Sequence, residues 1–410
     1  MRNDILARHD IQISERAVQR RIVRHMIFPL ERRPYDPSVI RKAALQRKLA
    51  KVAPKPMPRR KISLLIAAHN EELVIGQTLR SAIAAGMNPM HIYVVDDNSS
   101  DKTSAIAKQI IPAANVVKVH RSGKGLALTK GARKFQLSKK YRWIHIADAD
   151  GAFAPNYFHV FRRELNIKYA AATGYVRSLP GRRISEYRVY EYTIGMEVHR
   201  RMQTLFNVVP VIPGPTSCFR WDVFEEVNFD NKSLTEDFDV TMQLHRKKLG
   251  RIQFIPEAVA YTQDPRTVKD YTKQITRWNR GGLQSMMKYG IGRHISLLDA
   301  YLSYQIIQNL FFFASYFIWV PYLAFAHRTS AVVAMAFITD VLITFVLTFY
   351  TALCTHRWDV LSAFPQVYAL RWLSLGVFLK AFVEVVLLRR FRSSSGTWEN
   401  RRYVVSAENS

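Results

Sequence analysis

Cysteine is nearly absent from this chain of 410 residues. The two cysteines, Cys218 and Cys354, lie far apart and show none of the short spacings that are typical of zinc sites. Their scarcity excludes a disulfide framework of the kind that stabilises small secreted proteins. A reducing compartment is therefore the default expectation.

Acidic residues are also scarce, with 32 Asp and Glu against 60 Lys and Arg and a formal net charge of +28. Such an imbalance predicts an anionic partner, which is a nucleotide, a nucleic acid or an anionic lipid surface. Residues 1–61 contain 17 Lys and Arg against 5 Asp and Glu, whereas residues 303–356 contain only Arg328 and Asp340. Basic segments combined with charge-poor apolar runs favour a membrane surface over DNA.

A signal peptide is missing from the first 30 residues, which lack an apolar core and carry several arginines. We therefore expect the folded part of the chain outside the apolar segments to stay in the cytosol. Residues 1–57 are a basic N-terminal arm, which is either a solvated helix or tail, or a segment that docks on a membrane surface. Pro54, Pro56 and Pro58 predict an extended linker at its end.

Short apolar runs alternate with helical patterns in the following region, residues 58–290. The runs are Ile62–Ala68, His91–Val95, Val116–His120 and Tyr141–Ala147. This alternation predicts βαβ units around a parallel sheet and hence an α/β domain. Ligands of such sheets gather at the carboxyl ends of the strands. The acids that follow these runs predict a site there, and they are Glu71, Asp96, Asp97, Asp148 and Asp150.

Long apolar segments fill residues 296–390 and predict C-terminal transmembrane helices. Residues 300–327 and 330–356 both exceed the ~20 apolar residues that a spanning helix needs. Residues 372–388 are a third candidate, and their alternative is a buried helix of a soluble domain. This segment carries Lys380 and Glu384, which are spaced to pair on one helix face.

The number of membrane crossings stays open. Three crossings from a cytosolic domain would put the basic tail, residues 391–410, on the outer side. The positive-inside rule prefers that tail on the cytosolic side, which an even number of crossings would allow.

Asp148-Ala149-Asp150 places two carboxylates at i and i+2 just past a predicted strand. Hard oxygen ligands suit Mg²⁺ or Mn²⁺, which in turn hold a diphosphate, and the alternative is a solvated acid pair. The acids Asp96 and Asp97 are placed to accept hydrogen bonds from a base or ribose. Their alternative is a simple helix cap.

Lys124 stands between Gly123 and Gly125, where a lysine can meet a phosphate. Thr235 fits a helix N-cap, and Glu236 and Asp237 follow it. Asp237 is a candidate general base for an acceptor hydroxyl. The alternative is that these acids only favour the positive end of the helix dipole.

Gln274, Arg277 and Trp278 share one helix face at i, i+3 and i+4. Arg277 is suited to neutralising a leaving diphosphate, and Trp278 to stacking on a sugar ring. Their alternative is a juxtamembrane anchor of aromatic and basic residues.

In this order the motifs resemble the family-2 glycosyltransferases over roughly residues 62–280, with the apolar segments following. The likeness is to the processive branch, which includes hyaluronan, chitin and cellulose synthases and the nodulation-factor chitooligosaccharide synthase. The resemblance implies a GT-A fold, a Rossmann-like mixed α/β sheet of nucleotide-diphospho-sugar transferases. It also implies a Mg²⁺ or Mn²⁺ cofactor.

The same resemblance implies a role for each matching residue. Donor binding falls to Glu71, Asp97, Lys124 and Asp148, and the metal to Asp148 and Asp150. The catalytic pair is Asp237, as general base, with Glu236. Diphosphate and acceptor binding fall to Gln274, Arg277 and Trp278, together with Gly214 and Ser217 in the segment Pro213–Arg220.

The implied function is a membrane-bound inverting transferase that moves a sugar from a nucleotide-sugar, usually a UDP-sugar, to a glycan or lipid acceptor. Repeated transfer would make a polysaccharide, and the alternative is a single addition. An alternative of another class is an inactive basic membrane protein that binds nucleic acid. For the leading function we expect no nucleic-acid partner, contact with membrane lipids, and a multi-pass location in the cell membrane with a cytoplasmic catalytic domain.

Overall fold

The structure, a computed structural model, describes residues 62–179, 184–229, 233–327 and 330–391. The basic arm at 1–57 and all but the first residue of the tail at 391–410 lie outside the described residues. The strands are β1 (Ile62–Ala68), β2 (Ile92–Asp96), β3 (Val116–Lys118), β4 (Trp143–Ala147), β5 (Ala152–Phe153), β6 (Ala171–Ser178), β7 (Ser217–Arg220) and β8 (Ile252–Thr262).

Helices surround this sheet and then continue beyond it. They are α1 (Ile75–Ala84), α2 (Thr103–Ile110), α3 (Lys124–Lys134), α4 (Leu137–Lys140), α5 (Tyr157–Glu164), α6 (Ile184–Thr193), α7 (Arg201–Leu205), α8 (Trp221–Glu226), α9 (Glu236–Arg246), α10 (Val268–Lys288), α11 (Leu297–Ala314), α12 (Val320–Ala326), α13 (Ala331–Thr355), α14 (Asp359–Ser362) and α15 (Phe364–Phe382). Turns of π-helix continue α6, α11 and α15, at Ile194–Arg200, Ser315–Trp319 and Val383–Leu387.

The sheet is mixed, in the order β3-β2-β1-β4-β7-β6-β8-β5. The four strands β1 to β4 are parallel, as the alternating pattern predicts. Strand β7 runs antiparallel to both β4 and β6, and β5 runs antiparallel to β8. The second half of the sheet was not located from the sequence, because β5 has only two residues and long connections precede β6, β7 and β8.

Strand β1 is buried on both faces, which explains its continuous apolar run. Leu64 and Ile66 belong to the cluster that includes Leu79 of α1. Leu65 points to the opposite face and packs in the cluster that contains Leu128 of α3. Helices on both faces therefore leave the carboxyl edge of the strands as the open side of the domain.

Helix α10 approaches the start of α9 closely at Gly281. A Cβ added there would lie 2.5 Å from Oγ1 of Thr235, so only glycine permits this approach. Thr235 is the N-cap residue of α9, as the sequence predicts, although its side chain makes no capping hydrogen bond. Its hydroxyl is buried against α10 instead, and the contact brings α10 next to Glu236 and Asp237.

Among the described residues, two helices are long and apolar enough to cross a membrane by length and composition, Leu297–Ala326 and Ala331–Thr355. The third predicted segment, residues 372–388, lies in α15 and its π-helical continuation, which begin eight residues earlier than predicted. Glu384 in this continuation pairs with Arg280 of α10 rather than with Lys380. This helical segment is therefore joined by an ion pair to α10.

Candidate active site

Acidic side chains follow two strands that flank β1. Asp97 comes directly after β2 and Asp148 directly after β4. Because β2 and β4 both pair with β1 in parallel, the two acids reach the same edge of the sheet. Asp96 differs, since its carboxylate turns inward and accepts the Ser99 N–H at 2.6 Å and a hydrogen bond from Ser104.

A small pocket opens beside Asp97. Its wall includes His69, Glu71, Arg121 and Asp148. The Asp97 carboxylate accepts the backbone N–H groups of Ser122 and Gly123, both at 2.7 Å. The Nδ1 of His69 donates to the Asp97 carbonyl at 2.9 Å, and Glu71 is buried. These contacts hold the loop after β3 next to the end of β2.

Lys124, the first residue of α3, joins this pocket to a larger cavity. Its Nζ donates to Oδ1 of Asp148 at 2.6 Å and lies 2.8 Å from Oε1 of Glu236. Burial alone would lower the pKa of Lys124, but the two carboxylates outweigh this effect and raise it. Lys124 is therefore a permanent cation at the junction, where a diphosphate would compete for it.

Gly214 packs directly against this ion pair. A Cβ at this position would lie 3.0 Å from Nζ of Lys124 and 3.0 Å from Oδ2 of Asp148. A larger residue would therefore force one of these two charged groups to move by a few tenths of an ångström. The Ser217 hydroxyl is buried away from the cavity, and it donates to the Pro213 and Gly214 carbonyls, each at 3.2 Å. Ser217 thus holds the segment in shape rather than lining the cavity wall.

The larger cavity has a volume of about 200 Å³. The residues predicted from three separate motifs meet in its wall. They are Asp148 and Asp150 after β4, Glu236 and Asp237 at the start of α9, and Gln274, Arg277 and Trp278 on α10. Lys124 and Asp148 also belong to the smaller pocket, so the two spaces share one boundary.

Asp237 and Glu236 are adjacent in sequence but have opposite electrostatic surroundings. Burial and the neighbouring Glu236 raise the pKa of Asp237 to about 6. For Glu236, burial acts in the same direction, but Lys124 and Arg277 more than offset it and lower the pKa. Asp237 is thus the better proton acceptor of the pair near neutral pH.

The α10 side chains are fixed by different partners. Arg277 donates through Nη1 to the Leu234 carbonyl at 3.2 Å, just before α9. Gln274 accepts from Nη2 of Arg188 at 3.1 Å, and the Trp278 ring centroid lies 4.8 Å from the guanidinium carbon of the same arginine.

A comparison with known protein families identifies the family of this chain. The family model described as "Glycosyltransferase like family 2" matches residues 58–281, more than half of the chain. The chain belongs to this family. The resemblance predicted from the motifs is therefore confirmed, and this chain is a family-2 glycosyltransferase.

Curated relatives share a modest part of the sequence. A probable glycosyltransferase of Bacillus subtilis, YdaM, is 27% identical over 63% of this chain and 63% of its own length. A poly-beta-1,6-N-acetyl-D-glucosamine synthase of Staphylococcus aureus is 28% identical over 55% of this chain and 56% of its own length. The chain therefore spans less than two thirds of the length of these relatives.

A solved structure shares the fold of this family-2 transferase. The mannosyltransferase PcManGT from Pyrobaculum calidifontis, in complex with GDP-Man and Mn²⁺, superposes with a TM-score of 0.51 at 15% identity. The superposition covers 91% of this chain and 99% of that protein. It supports the predicted GT-A class of α/β fold, with a mixed sheet.

Several residues in these two spaces carry no motif in the sequence. His69 and Arg121 flank the predicted donor residues, and their nearness to Asp97 along the strand edge is the only signal they offer. Tyr192 and Asp264 line the larger cavity from segments that the sequence left unassigned. Arg188 lies behind this wall and has no sequence signal, because it is one of many arginines on helices.

Proposed function

We propose that this family-2 transferase moves a sugar, with inversion, from a nucleotide-sugar to the hydroxyl of a glycan or lipid acceptor. The donor is a UDP-sugar by the resemblance stated above. The supporting observation is that a pocket beside Asp97 and a cavity containing Asp237 meet at the ion pair of Lys124 with Asp148. One space suits a nucleoside and the other a sugar with its acceptor.

In this mechanism the nucleoside lies beside Glu71 and Asp97, and the diphosphate lies at the junction. Lys124 is already charged there and exchanges a carboxylate partner for a phosphate oxygen. Arg277 adds a second positive charge beside the cavity. Fixed positive charges of this kind stabilise a leaving group because they need no rearrangement during the reaction.

Asp237 then accepts the proton of the acceptor hydroxyl, and the hydroxyl oxygen forms a bond to the anomeric carbon. The bond from that carbon to the diphosphate breaks, and the nucleoside diphosphate leaves with the electron pair. A pKa of about 6 keeps Asp237 ionised at neutral pH and basic enough to take the proton.

A divalent cation, Mg²⁺ or Mn²⁺, fits Asp148 and Asp150. The described residues contain no group of three or more His, Cys, Asp or Glu that could hold a metal by itself. Two carboxylates on one short loop match a cation that takes its other ligands from substrate phosphates and water. Such a cation would neutralise charge on the diphosphate.

The location that we propose is the cell membrane, with several crossings and a cytoplasmic catalytic domain. The apolar helices Leu297–Ala326 and Ala331–Thr355 are suited to contact with membrane lipids. Repeated transfer to a growing polysaccharide is favoured by the resemblance to synthases. A single addition is the second candidate, favoured by the small number of apolar helices, and the length of the product separates the two.

The first experiment is a donor screen. Protein purified in detergent with Mn²⁺ or Mg²⁺ is offered a panel of nucleotide-sugars, short oligosaccharides and lipid extract, and nucleotide release is measured. We expect release from one donor, and its loss in Asp237→Asn. Asp222→Asn is the matched control, because Asp222 is exposed and pairs only locally with Arg220. Folded protein that releases nucleotide from no donor would overturn the proposal.

The inactive nucleic-acid binder is tested on the same protein. Binding through phosphate contacts weakens steeply as salt is raised. We expect no salt-sensitive binding of a DNA or RNA duplex at physiological ionic strength. Tight, salt-sensitive binding without nucleotide release would favour that alternative.

A further inference from the structure

Arg188 is a charged residue buried behind the cavity wall. Its side chain is 2% exposed, and it lies on α6 without lining the cavity. Burying a guanidinium is costly unless its charge and its donors are matched. Three of the residues that contact this guanidinium do line the cavity. They are Gln274 by a hydrogen bond, Trp278 by a cation–π contact and Asp264 by an ion pair.

Arg188 determines how the side-chain amide of Gln274 is oriented. A guanidinium has five N–H donors and no acceptor. Its Nη2 lies 3.1 Å from Oε1 of Gln274, so the amide oxygen must turn toward Arg188. The amide NH₂ group then points away from Arg188, and because Gln274 lines the cavity, this group is suited to donate to acceptor oxygens such as those of sugar hydroxyls.

The guanidinium also supports the aromatic part of the wall. It lies 4.8 Å from the Trp278 ring centroid and 4.7 Å from that of Tyr192, and Nη2 donates to the Tyr192 hydroxyl at 2.8 Å. A cation held against a ring face fixes the plane of that ring. Trp278 keeps 37% of its surface exposed, so a sugar can still stack on it.

Asp264 is the third cavity residue in this set. Nε of Arg188 lies 3.4 Å from its Oδ1, and Ser178 donates to the other oxygen. Burial raises the pKa of Asp264 to about 6 even though Arg188 opposes the shift. Without the guanidinium this carboxylate would lose the positive charge that keeps it ionised in a buried site.

A polar chain anchors Arg188 from the far side. Nη1 donates to Oε2 of Glu191 at 2.6 Å, and the other Glu191 oxygen accepts from the Tyr271 hydroxyl at 3.1 Å. The Tyr271 hydroxyl is 2.6 Å from the hydroxyl of Ser374 on α15. The guanidinium is thus held between α6, α10 and α15.

We propose that Arg188 is a positioning residue for the acceptor, which acts by orienting Gln274 and Trp278. The proposal rests on the proposed transferase function. Lysine cannot replace arginine here, because an ammonium is a single compact charge without the planar fork that reaches several partners at once. The donor residues Asp97 and Lys124 do not contact Arg188 through any of the bonds described above, so donor binding should be independent of it.

The test compares Arg188→Lys and Arg188→Met with wild type in detergent, using the donor and acceptor found in the screen. We expect kcat/KM for the acceptor to fall about 10- to 100-fold in both variants, as expected when charge-assisted hydrogen bonds are lost. Donor affinity, measured by calorimetry, should change less than about twofold. Arg201→Met is the matched control, because Arg201 pairs with Glu197 on the same helical segment and does not line the cavity.

A double-mutant cycle shows whether Arg188 acts through its partners. In a Gln274→Ala, Trp278→Phe background, Arg188→Lys should reduce acceptor kcat/KM by less than about threefold further. A full additional loss in that background would overturn the proposal. Wild-type acceptor kinetics in Arg188→Lys would overturn it as well, since a point charge would then suffice.

A readout that does not depend on turnover separates this proposal from the transferase function. In protein labelled with 5-fluorotryptophan, the ¹⁹F resonance missing from Trp278→Phe belongs to Trp278. We expect this resonance to move in Arg188→Lys and to stay in place in Arg201→Met. If wild type transfers no sugar but the resonance moves, the transferase function fails and the positioning contact stands. An unmoved resonance in a folded Arg188→Lys protein would contradict the positioning role.

Discussion

The small pocket beside Asp97 and the larger cavity around Asp237 are built in different ways. The pocket is formed by residues that follow neighbouring parallel strands. Hydrogen bonds from the backbone N–H groups of Ser122 and Gly123 to the Asp97 carboxylate hold it together. The cavity gathers side chains from loops and helices that are far apart in sequence, and buried charges hold it. A site of the first kind follows from local pattern, whereas the second kind depends on how distant segments pack.

Asp237→Asn removes the proposed general base from the cavity and leaves the pocket intact. Of the substitutions considered, it should have the largest effect on turnover. We expect kcat to fall about 10²- to 10⁴-fold, the range typical of a lost general base. Donor affinity should stay within about twofold of wild type, since the nucleoside contacts are unchanged. Single-turnover rates and donor calorimetry measure the two quantities. Wild-type turnover in this variant would mean that another group takes the proton.

Gly214→Ala tests the boundary that the pocket and cavity share. The added methyl group would lie 3.0 Å from Nζ of Lys124 and from Oδ2 of Asp148, so the ion pair must shift. We expect kcat/KM for the donor to fall about 100-fold, since a small misplacement of reacting groups costs this much.

Gly195→Ala is the control for this substitution, because nothing lies within 4 Å of a Cβ at that position. If both variants keep wild-type kcat/KM, the close packing at Gly214 does not govern catalysis.

Asp97→Ala should weaken donor binding rather than acceptor binding. The carboxylate anchors the Ser122 and Gly123 amides, so its loss frees the loop that leads into α3. We expect the donor KM to rise about tenfold, which corresponds to the loss of charge-assisted hydrogen bonds. The acceptor KM should not change. An equal rise in both constants would show that the pocket and cavity are not separable.

The smallest expected effect comes from pH. The pKa of Asp237 is raised to about 6, so the base is protonated, and inactive, as pH falls below that value. For a pKa near 6 we expect kcat at pH 5.5 to be about fourfold lower than at pH 7.

Asp264 has a pKa raised into the same range, so the profile should be repeated in Asp264→Asn. If kcat still falls at acidic pH in this variant, the titrating group is Asp237. If kcat no longer falls at acidic pH, the titrating group is Asp264.

Much of the site was predictable because its signals are local. Asp148 and Asp150 are two residues apart after a strand, and Gln274, Arg277 and Trp278 share a helix face at fixed spacing. The N-cap position of Thr235 was predicted correctly, but its hydroxyl makes no capping hydrogen bond for a non-local reason, since Gly281 of another helix packs against it. The predicted pairing of Lys380 with Glu384 is wrong, also for a non-local reason, because Arg280 of α10 pairs with Glu384.

By itself the sequence determined the family, the parallel half of the sheet (β1 to β4) and the residue types at the reacting centre. These features could be predicted because strand and helix periodicity act over a few residues. Only the tertiary structure decided which charges meet. Lys124 bridges Asp148 and Glu236 from three separate segments, and Arg188 reaches Gln274 across 86 positions of the chain. Such contacts depend on the packing of whole elements, and no local pattern encodes that packing.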